Sequence, residues 1–290
     1  MTGTQPSSIR ASIRDARSFP RSARGAQGES PRTENSCLVQ KLSHYIDLSE
    51  NDRRLLAVLE ETSRDVRRGQ QIEGDAGPRD RLYVVSSGWL YSTVDLPDGR
   101  RLINAVHQPG DLVGLSEVAT DSPVSTLHVC DDATLCPFSR EALSTIFAES
   151  PRLAALFFAI LAREQLVTMD RTRTVARMNA RERLAHFLLE MWVRLCIGHL
   201  PDHEGTADGQ ERPSFRLPLT QAEVGDMLGL TNVTVSKTLN AMEDDNLLRR
   251  RGDRITLQSE QRLRGLCDFV DRYSTMRTDW FPKAWVLAAE

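Results

Sequence analysis

The side chains with the most specific chemistry lie on one short segment near the C-terminal end of the sequence. Asn232, Ser236 and Lys237 are spaced to share one helix face with Val233. An asparagine amide can bond N6 and N7 of adenine, and a lysine ammonium can donate to O6 or N7 of guanine. Valine offers only an apolar contact to a thymine methyl group. The helical pattern leaves these four side chains on the outer face of a predicted helix, where their chemistry would suit contacts with base edges.

Hydroxyl groups suited to phosphate surround this face. Thr220, Thr231 and Thr234 stand at the starts of two predicted helices. Threonine hydroxyls and helix N-termini both bind DNA phosphates and orient a protein on the duplex. The chemistry of these three residues would therefore suit contacts with phosphate.

A charged hairpin is predicted next, where two β-prone segments flank Gly252-Asp253. It carries Arg250, Arg251 and Arg254, which are expected on phosphates beside the groove. The alternative is a solvated charged hairpin. Residues 211–257 hold seven basic and seven acidic side chains, so this region has no net charge. Binding to DNA must then come from an oriented face, not from bulk charge.

Capping residues predict the two helices that position these groups. Thr220 and Glu223 have capping-box spacing and begin a helix over residues 221–228, and Gly229 ends it. Thr231 begins a second helix, over about residues 232–243. Gly225 has no side chain, which allows the two helices to cross closely. Two short helices with a glycine-containing turn form a helix-turn-helix, and the hairpin behind them is its wing.

A longer helical pattern precedes this unit. Ser150 is a natural N-cap with Pro151 at the first helical position, and apolar residues recur at helical spacing to about Met178. A helix of that length favours a seam between two copies of the chain over a core helix, which is the alternative. The residues expected in the seam are Leu153, Phe157, Ile160, Leu161, Val167 and Val175. A capping box at Asn179 predicts a new helix over residues 180–197, and residues 198–213 are expected to form a loop.

The N-terminal half has a different pattern, with short alternating runs between residues 79 and 137. Turn residues separate the runs, including Ser86-Ser87-Gly88 and Pro97-Asp98-Gly99. The pattern predicts an antiparallel β-roll. The fold class is therefore α+β, with an N-terminal roll, a long dimerisation helix and a C-terminal winged helix-turn-helix. The expected boundaries are a disordered tail over 1–36, the roll as sensor domain over 37–148, the dimerisation helix over 149–178, the DNA-binding domain over 179–258 and an extension over 259–290.

Composition excludes several classes of protein. The 290 residues include 37 basic and 40 acidic side chains, and no apolar run is long enough to span a membrane. Five scattered cysteines do not suggest a disulfide framework, so a cytoplasmic protein is expected. No nucleophile elbow or P-loop is present, so we do not expect catalysis. Cys196, His199 and His203 have spacing that could hold a metal but lack a clear fourth ligand, so neither a metal nor another cofactor is expected.

Five motifs in order make the chain resemble the Crp/Fnr family of bacterial transcription regulators over about residues 40–258. They are Gly88-Trp89-Leu90, Leu96-Pro97-Asp98-Gly99-Arg100, Pro109-Gly110-Asp111-Leu112-Val113-Gly114, Ala180-Arg181-Glu182-Arg183-Leu184, and the stretch from Leu219-Thr220-Gln221 to Lys237-Thr238-Leu239. The resemblance implies a cyclic-nucleotide-binding-like roll and a homodimer that reads inverted-repeat DNA, with RNA polymerase as a further partner. The alternative is a ligand- or protein-binding roll without specific DNA recognition.

The resemblance also assigns residues by position. It implies that Asn232, Val233, Ser236 and Lys237 read the groove and that Thr220, Thr231 and Thr234 contact the DNA backbone. It places an effector pocket at Leu115, Ser125, Thr126 and Thr168. Members that bind cyclic AMP carry a glutamate at the place of Leu115 and an arginine-serine pair at 125–126. A buried cyclic phosphate would lack its arginine here, so cyclic AMP is not the expected signal. Oxygen-sensing members use an N-terminal cysteine cluster, and Cys37 stands alone in that region.

Overall fold

The computed structural model describes residues 36–72, 82–120, 124–198, 202–205 and 211–283. Within these residues, the N-terminal half contains helices α1 (Cys37–Ser43), α2 (Glu50–Val58), α3 (Arg140–Glu149) and α4 (Pro151–Arg177). Its strands are β1 (Arg64–Val66), β2 (Gln71–Ile72), β3 (Tyr83–Asp95), β4 (Arg101–His107), β5 (Leu112–Val113) and β6 (Thr126–Pro137). A short 3-10 helix covers Leu115–Glu117. The predicted disordered tail lies outside the described residues, apart from Ser36, which caps α1.

The C-terminal half begins with α5 (Ala180–Ile197) and carries the predicted helix-turn-helix. Its further helices are α6 (Gln221–Leu228), α7 (Asn232–Asp244) and α8 (Glu260–Cys267). Its strands are β7 (Asp202–Gly205), β8 (Glu211–Arg216), β9 (Leu248–Arg251) and β10 (Arg254–Leu257). No helix in the described part of the chain is both long and apolar enough to cross a membrane.

The roll is an antiparallel sheet in which β3 lies between β4 and β6. The turn predicted at Ser86-Ser87-Gly88 is wrong, because β3 runs through it as a bulged strand. Gly88 has φ +77°, and a Cβ there would lie 2.2 Å from the Asp132 carbonyl oxygen. The bulge changes which side alternate residues face. Val85 and Leu90 therefore both point into the roll, although one is odd-numbered and the other even.

The same bulge places Trp89 and Tyr91 on the outer face of the roll, where the C-terminal half covers them. Both rings belong to one apolar cluster with α5 and the helix-turn-helix core. Two ion pairs flank this contact. Arg101 of β4 donates to Asp226 of α6 at 2.6 Å, and Arg216 of β8 pairs with Asp131 of β6. The winged helix is thus packed directly on the roll of its own chain.

The connection between the halves is short and follows the predicted caps. Helix α4 ends at Arg177, and Met178 is extended. Asn179 then begins α5 through the predicted capping box, which is confirmed: its side chain accepts from the Arg181 and Glu182 N–H groups, and the Glu182 carboxylate accepts from the Asn179 N–H. A change in direction between α4 and α5 is therefore confined to about two residues.

The loop expected over residues 198–213 is wrong where the structure describes it. Strands β7 and β8 pair there and extend the wing into a four-stranded sheet of order β7-β8-β10-β9. Glycine and proline suggested a loop, but β8 finds its partner in β10, about forty residues further along the chain. Pairing at that separation is not visible in a local pattern.

The C-terminal extension returns to the body of the protein. Helix α8 packs on α5, and the chain then crosses back toward the roll. Arg272 donates to Asp170 of α4 at 2.8 Å, and the Tyr45 hydroxyl donates to the Tyr273 carbonyl at 2.9 Å. Phe281 is buried in the cluster formed by α1 to α4. The described part of the extension thus connects both halves of the chain, whereas Trp285 lies outside the described residues.

A buried carboxylate joins the roll to α5 at the centre of the molecule. Asp111 accepts from Lys41 of α1 at 2.6 Å, from Arg194 of α5 at 2.7 Å and from the Gln108 N–H at 2.7 Å. Burial alone would raise the pKa of Asp111, but the charges of Lys41 and Arg194 and the bond from Gln108 outweigh it. The pKa of this carboxyl is therefore held well below its usual range.

Asp111→Asn should lower the free energy of unfolding by about 3–5 kcal/mol at pH 7, because it leaves two buried cations without their shared carboxylate. The depressed pKa fixes the pH dependence. The carboxylate's contribution is complete above the ordinary aspartate pKa of about 4 and declines by about 1.4 kcal/mol for each pH unit below it. Urea unfolding of both proteins between pH 7 and pH 3 measures both effects.

The difference between wild type and variant should therefore narrow as the pH falls below about 4. Asp47→Asn, at an exposed position in the same half, is the control and should change stability by less than about 0.5 kcal/mol. A constant difference across the pH range would show that the Asp111 charge does not hold the two halves together.

Candidate nucleic-acid interface and sensor cavity

The helix-turn-helix lies at the residues predicted from the sequence. The Thr220 hydroxyl accepts from the Glu223 N–H, and the Glu223 carboxylate accepts from the Thr220 N–H, which confirms the predicted capping box. Gly229 ends α6 in the left-handed conformation, with φ +63°. Thr231 caps α7 by accepting from the Thr234 N–H at 3.1 Å. These local bonds fix the angle at which α7 leaves the turn.

Gly225 is required for close approach, although its neighbour is not the one expected. The sequence placed it where the two helices cross. In the structure, a Cβ at Gly225 would lie 2.6 Å from the carbonyl oxygen of Leu230, in the turn itself. The Leu230 N–H also donates to the Gly225 carbonyl at 3.0 Å. The small residue therefore allows the turn to close back on α6.

The outer face of α7 presents the predicted base-reading residues together. Asn232, Val233 and Lys237 are exposed, and Ser236 is half-buried. Val235, Leu239 and Met242 on the opposite side are buried in the shared core. The three threonines take part in capping: Thr220 and Thr231 are exposed, and Thr234 is half-buried. Their contacts with DNA stay predictions.

The wing differs from expectation at Arg250. Its guanidinium pairs with Glu243 near the end of α7 and donates to the Asn240 side chain at 2.6 Å. The structure therefore gives Arg250 an internal contact that ties the wing to α7, in place of the open phosphate-facing position expected. Arg251 is exposed on the wing, and Arg254 is half-buried with Nη1 3.4 Å from the Ser214 hydroxyl.

The predicted seam of α4 is wrong for three of its residues. Leu153, Phe157 and Val167 are buried against their own chain and cannot face a second copy. Ile160 and Leu161 are half-buried, and only Val175 of the predicted set is exposed. The apolar residues of α4 lie on two faces of the helix. The face that we predicted to contact a second copy is instead buried within the chain.

A different stripe of α4 faces outward at spacings of four and three residues. Its exposed members are Phe158, Ala162, Gln165, Met169, Thr172 and Ala176. Phe158 is 65% exposed and Met169 is 68% exposed. The ring of Trp280 lies edge-on to Phe158, with centroids 6.3 Å apart, at the N-terminal end of this outward stripe.

The predicted effector residues separate into two groups. Leu115 and Thr168 line a cavity between α1, the β4–β5 segment and α4. Ser125 and Thr126 are not among the residues that line it. The Ser125 hydroxyl and N–H both donate to the Glu117 carboxylate, at 2.6 and 3.0 Å. The Glu117 carboxylate thus binds one of the two residues at the predicted phosphate positions, and the expectation against cyclic AMP stays a prediction.

The cavity has a volume of about 280 Å³ and cationic walls. Lys41, Arg163, Arg171 and Arg194 line it, and they come from α1, α4 and α5. His107 also lines it, and its Nε2 lies 2.7 Å from the Ser92 hydroxyl. Burial lowers the pKa of His107 to about 4, so this ring is neutral at pH 7. No local sequence pattern indicates this cluster, because its cations are distant from one another along the chain.

The cysteines are structural side chains where they are described. Cys130 is buried between the roll and the C-terminal half, whereas Cys136 belongs to the cluster with α1 to α4. Burial raises the pKa of the Cys130 thiol to about 12, which keeps it protonated and unreactive. Within the described residues, no group of three histidine, cysteine, aspartate or glutamate side chains is placed to hold a metal ion.

A β-roll, a long helix and a winged helix-turn-helix with a polar, exposed second helix together define a DNA-binding regulator with a sensor domain. Two family models match the chain: a cyclic nucleotide-binding domain over residues 63–150 and a Crp-like helix-turn-helix domain over residues 182–266. The chain belongs to the Crp/Fnr family of transcription regulators.

Known proteins agree with this assignment. The structure of FixK2 from Bradyrhizobium japonicum superimposes with a TM-score of 0.61 and 31% identity, over 71% of this chain and 96% of that one. The fumarate and nitrate reduction regulatory protein of Vibrio cholerae serotype O1 is 25% identical over 227 residues, which are 78% of this chain and 87% of the relative. Regulatory protein HlyX of Actinobacillus pleuropneumoniae is 24% identical over 222 residues, 77% of this chain and 88% of its own.

Gly225→Ala should destabilise the helix-turn-helix by about 1–3 kcal/mol, because the new methyl group meets the Leu230 carbonyl and the turn must shift. Thermal or urea unfolding measures the change in stability. Gly265→Ala is the matched control, since Gly265 lies inside α8 with open space around its Cβ position. The control should be neutral or slightly stabilising, because alanine favours a helix interior over glycine. Equal stabilities of the two variants would contradict the close approach at Gly225.

Proposed function

We propose that two copies of this chain bind an inverted-repeat operator and regulate transcription in response to a signal in the roll. The observation that supports this is the outer face of α7, where four side chains able to contact bases are held together while the opposite face is buried. Membership of a family of transcription regulators supports the same function. We propose no catalytic activity, and a cytoplasmic location follows from action on bacterial DNA.

The base readers differ in the information they carry. Asn232 supplies a donor and an acceptor that suit adenine, whereas Lys237 supplies donors that suit guanine. Val233 would contact a thymine methyl group, and Ser236 would bond either strand's base edges. Thr220, Thr231 and Thr234 would orient α7 on the phosphates, and Arg251 and Arg254 of the wing would add contacts beside the groove. Arg250 contributes by holding the wing against α7.

The outward stripe of α4 is proposed as the seam of the homodimer. Its alternating spacings of four and three residues are those of a coiled-coil seam, in which each helix presents one stripe to its partner. Phe158 and Met169 of this stripe are large, apolar and 65% and 68% exposed, which a lone chain leaves uncovered. To read an inverted repeat, the two copies of α7 would have to lie about one helical turn of DNA apart, ~34 Å.

The proposed regulation is a shift between two arrangements of the winged helix. In the structure described, Arg101–Asp226 and Arg216–Asp131 hold the winged helix against the roll. A signal that changes the packing of α4 would act at the extended residue Met178, where α4 and α5 meet. The preferred arrangement would then depend on the signal's different affinity for the two states. RNA polymerase is the proposed partner of the DNA-bound dimer.

Lys237→Ala should weaken binding to the specific site about 5–150-fold, because one good base contact is worth about 1–3 kcal/mol. Binding to unrelated DNA should change by less than about threefold, since that binding comes from phosphate contacts. The site is first obtained by selection from random duplexes with the wild-type protein. Fluorescence anisotropy then gives Kd for both DNAs at one salt concentration.

Arg53→Ala, a cation on α2 far along the chain from the winged helix, is the control and should leave both affinities unchanged. An equal loss on both DNAs for Lys237→Ala would contradict the assignment of α7 as the reading helix. A selection that enriches no motif would favour the alternative, a ligand- or protein-binding roll without specific DNA recognition.

Met169→Glu should raise the dissociation constant of the dimer about tenfold or more, because it places two like charges in the seam. Sedimentation equilibrium measures the mass, which should fall from twice 32.6 kDa toward 32.6 kDa. Val124→Glu is the matched control, since Val124 is 63% exposed and lies outside α4. A dimer that is unaffected by Met169→Glu would place the interface elsewhere.

A further inference from the structure

The cavity between α1, α4 and α5 has an excess of positive charge. Four cations line it, and ion pairs among the described residues link them to three carboxylates. Asp111 binds Lys41 and Arg194, Glu190 binds Arg171 and lies 3.8 Å from Arg194, and Glu164 lies 3.3 Å from Arg163. One cationic charge is left over. Since the Glu164 side chain is 45% exposed, water screens its contribution.

Hydrogen-bond donors at this cavity are also left without acceptors. Arg194, whose side chain is only 7% exposed, lines the cavity, and its Nη1 has no hydrogen-bond partner among the described residues. The same is true of Nε of Arg163. A buried guanidinium N–H without an acceptor is costly, and an unmade bond of this kind is rare in folded proteins. The donors therefore indicate that an acceptor from outside the chain belongs here.

Two tyrosines hold Arg163 at the edge of the cavity. Its guanidinium lies over the rings of Tyr45 and Tyr273, at 5.4 and 4.8 Å from their centroids, and donates to the Tyr45 hydroxyl at 2.6 Å. Stacking of this kind keeps the planar fork in one orientation, which suits recognition of a planar carboxylate. Arg163 is thus oriented before any ligand binds.

Another part of the wall is apolar, beside the carboxylates of Asp111 and Glu164 and the polar side chains of Asn104, Ser116 and Thr168. Leu38, Leu42, Leu115, Ile160 and Leu161 line the cavity, and the His107 ring is neutral at pH 7. The volume lies at the small end of ligand pockets, which suits a molecule with a short hydrocarbon body. Burial lowers the pKa of Lys41; Asp111 opposes this change, but Arg194 and Arg163 add to it. A bound anion would offset that repulsion.

We propose that this cavity binds a small aliphatic carboxylate, with its carboxylate on Arg163 and Arg194 and its hydrocarbon body on the leucine wall. The inference deepens the proposed function, because it names the chemical class of ligand that the sensor half would take. The charged groups differ from the effector positions that the family resemblance assigned, since Ser125 is bound to Glu117 and Ser125 and Thr126 do not line the cavity.

The test compares hexanoate with hexanamide, which has the same body and no charge. Hexanoate at ten times its dissociation constant should raise the Tm of the full chain by about 3 °C, and calorimetry gives the affinity. Arg163→Gln should weaken hexanoate about tenfold or more. Ser116→Glu, which adds a negative charge to the exposed part of the wall and deletes no ion pair, should also weaken it.

Arg173→Gln, an exposed cation on α4 that does not line the cavity, is the control and should leave hexanoate affinity unchanged. The inference is wrong if hexanoate does not bind, if hexanamide binds equally well, or if both wall variants keep wild-type affinity. Operator binding by the same protein samples separates the two proposals. If the protein binds its operator but not hexanoate, only the proposal of the carboxylate site is wrong.

Discussion

The packing of the roll against α5 depends on one carboxylate, Asp111, which binds a cation from α1 and a cation from α5. A charged trio buried at this depth has a large desolvation cost, and it persists because each partner is held by its own element: Lys41 by α1, Asp111 by the β4–β5 turn and Arg194 by α5. The turn motif that contains Asp111 would be needed in any roll for its glycines. In this chain the same turn also helps to position the winged helix, because Asp111 binds Arg194 on α5, the helix that leads into the winged helix.

The ion pair between Asp111 and Arg194 limits how α5 can rotate about Met178, the extended residue between α4 and α5. A rotation of α5 about this residue must also move Arg194 relative to Asp111 and withdraw α6 from the outer face of the roll, where Tyr91 is covered. Burial and the nearby Glu223 carboxylate raise the pKa of Tyr91 to about 12, so the phenol stays neutral in this contact. The C-terminal extension adds a third connection through Arg272 and Asp170. Re-aiming α7 is therefore a change between two packed states, and a ligand can favour one only through a difference in affinity.

What the sequence predicted well is local. The capping boxes at Asn179 and Thr220, the Ser150–Pro151 start of α4 and the glycine turn before α7 are each settled within four residues, and the structure reproduces them. What it could not predict depends on contacts between distant residues. Phe157 and Phe158 are neighbours of one type, yet one is in the core and the other faces outward, and only the packing of α4 against the roll distinguishes them. The bulge at Gly88, which changes the side that alternate residues face, and the ion pair between Arg250 and Glu243 also depend on tertiary contacts.

The same reasoning explains why a family motif does not determine the signal. The roll keeps its turn residues, because backbone geometry requires them whatever is bound. The groups that select a ligand are free to differ, and here Glu117 uses the Ser125 hydroxyl while cations from α1, α4 and α5 gather on the other side of the 3-10 helix. Arg194 belongs at once to the cavity wall and to the helix that carries the DNA-binding half. An anion bound to Arg194 would favour whichever arrangement binds it more tightly, so the cation that selects the ligand is also placed to couple it to the winged helix.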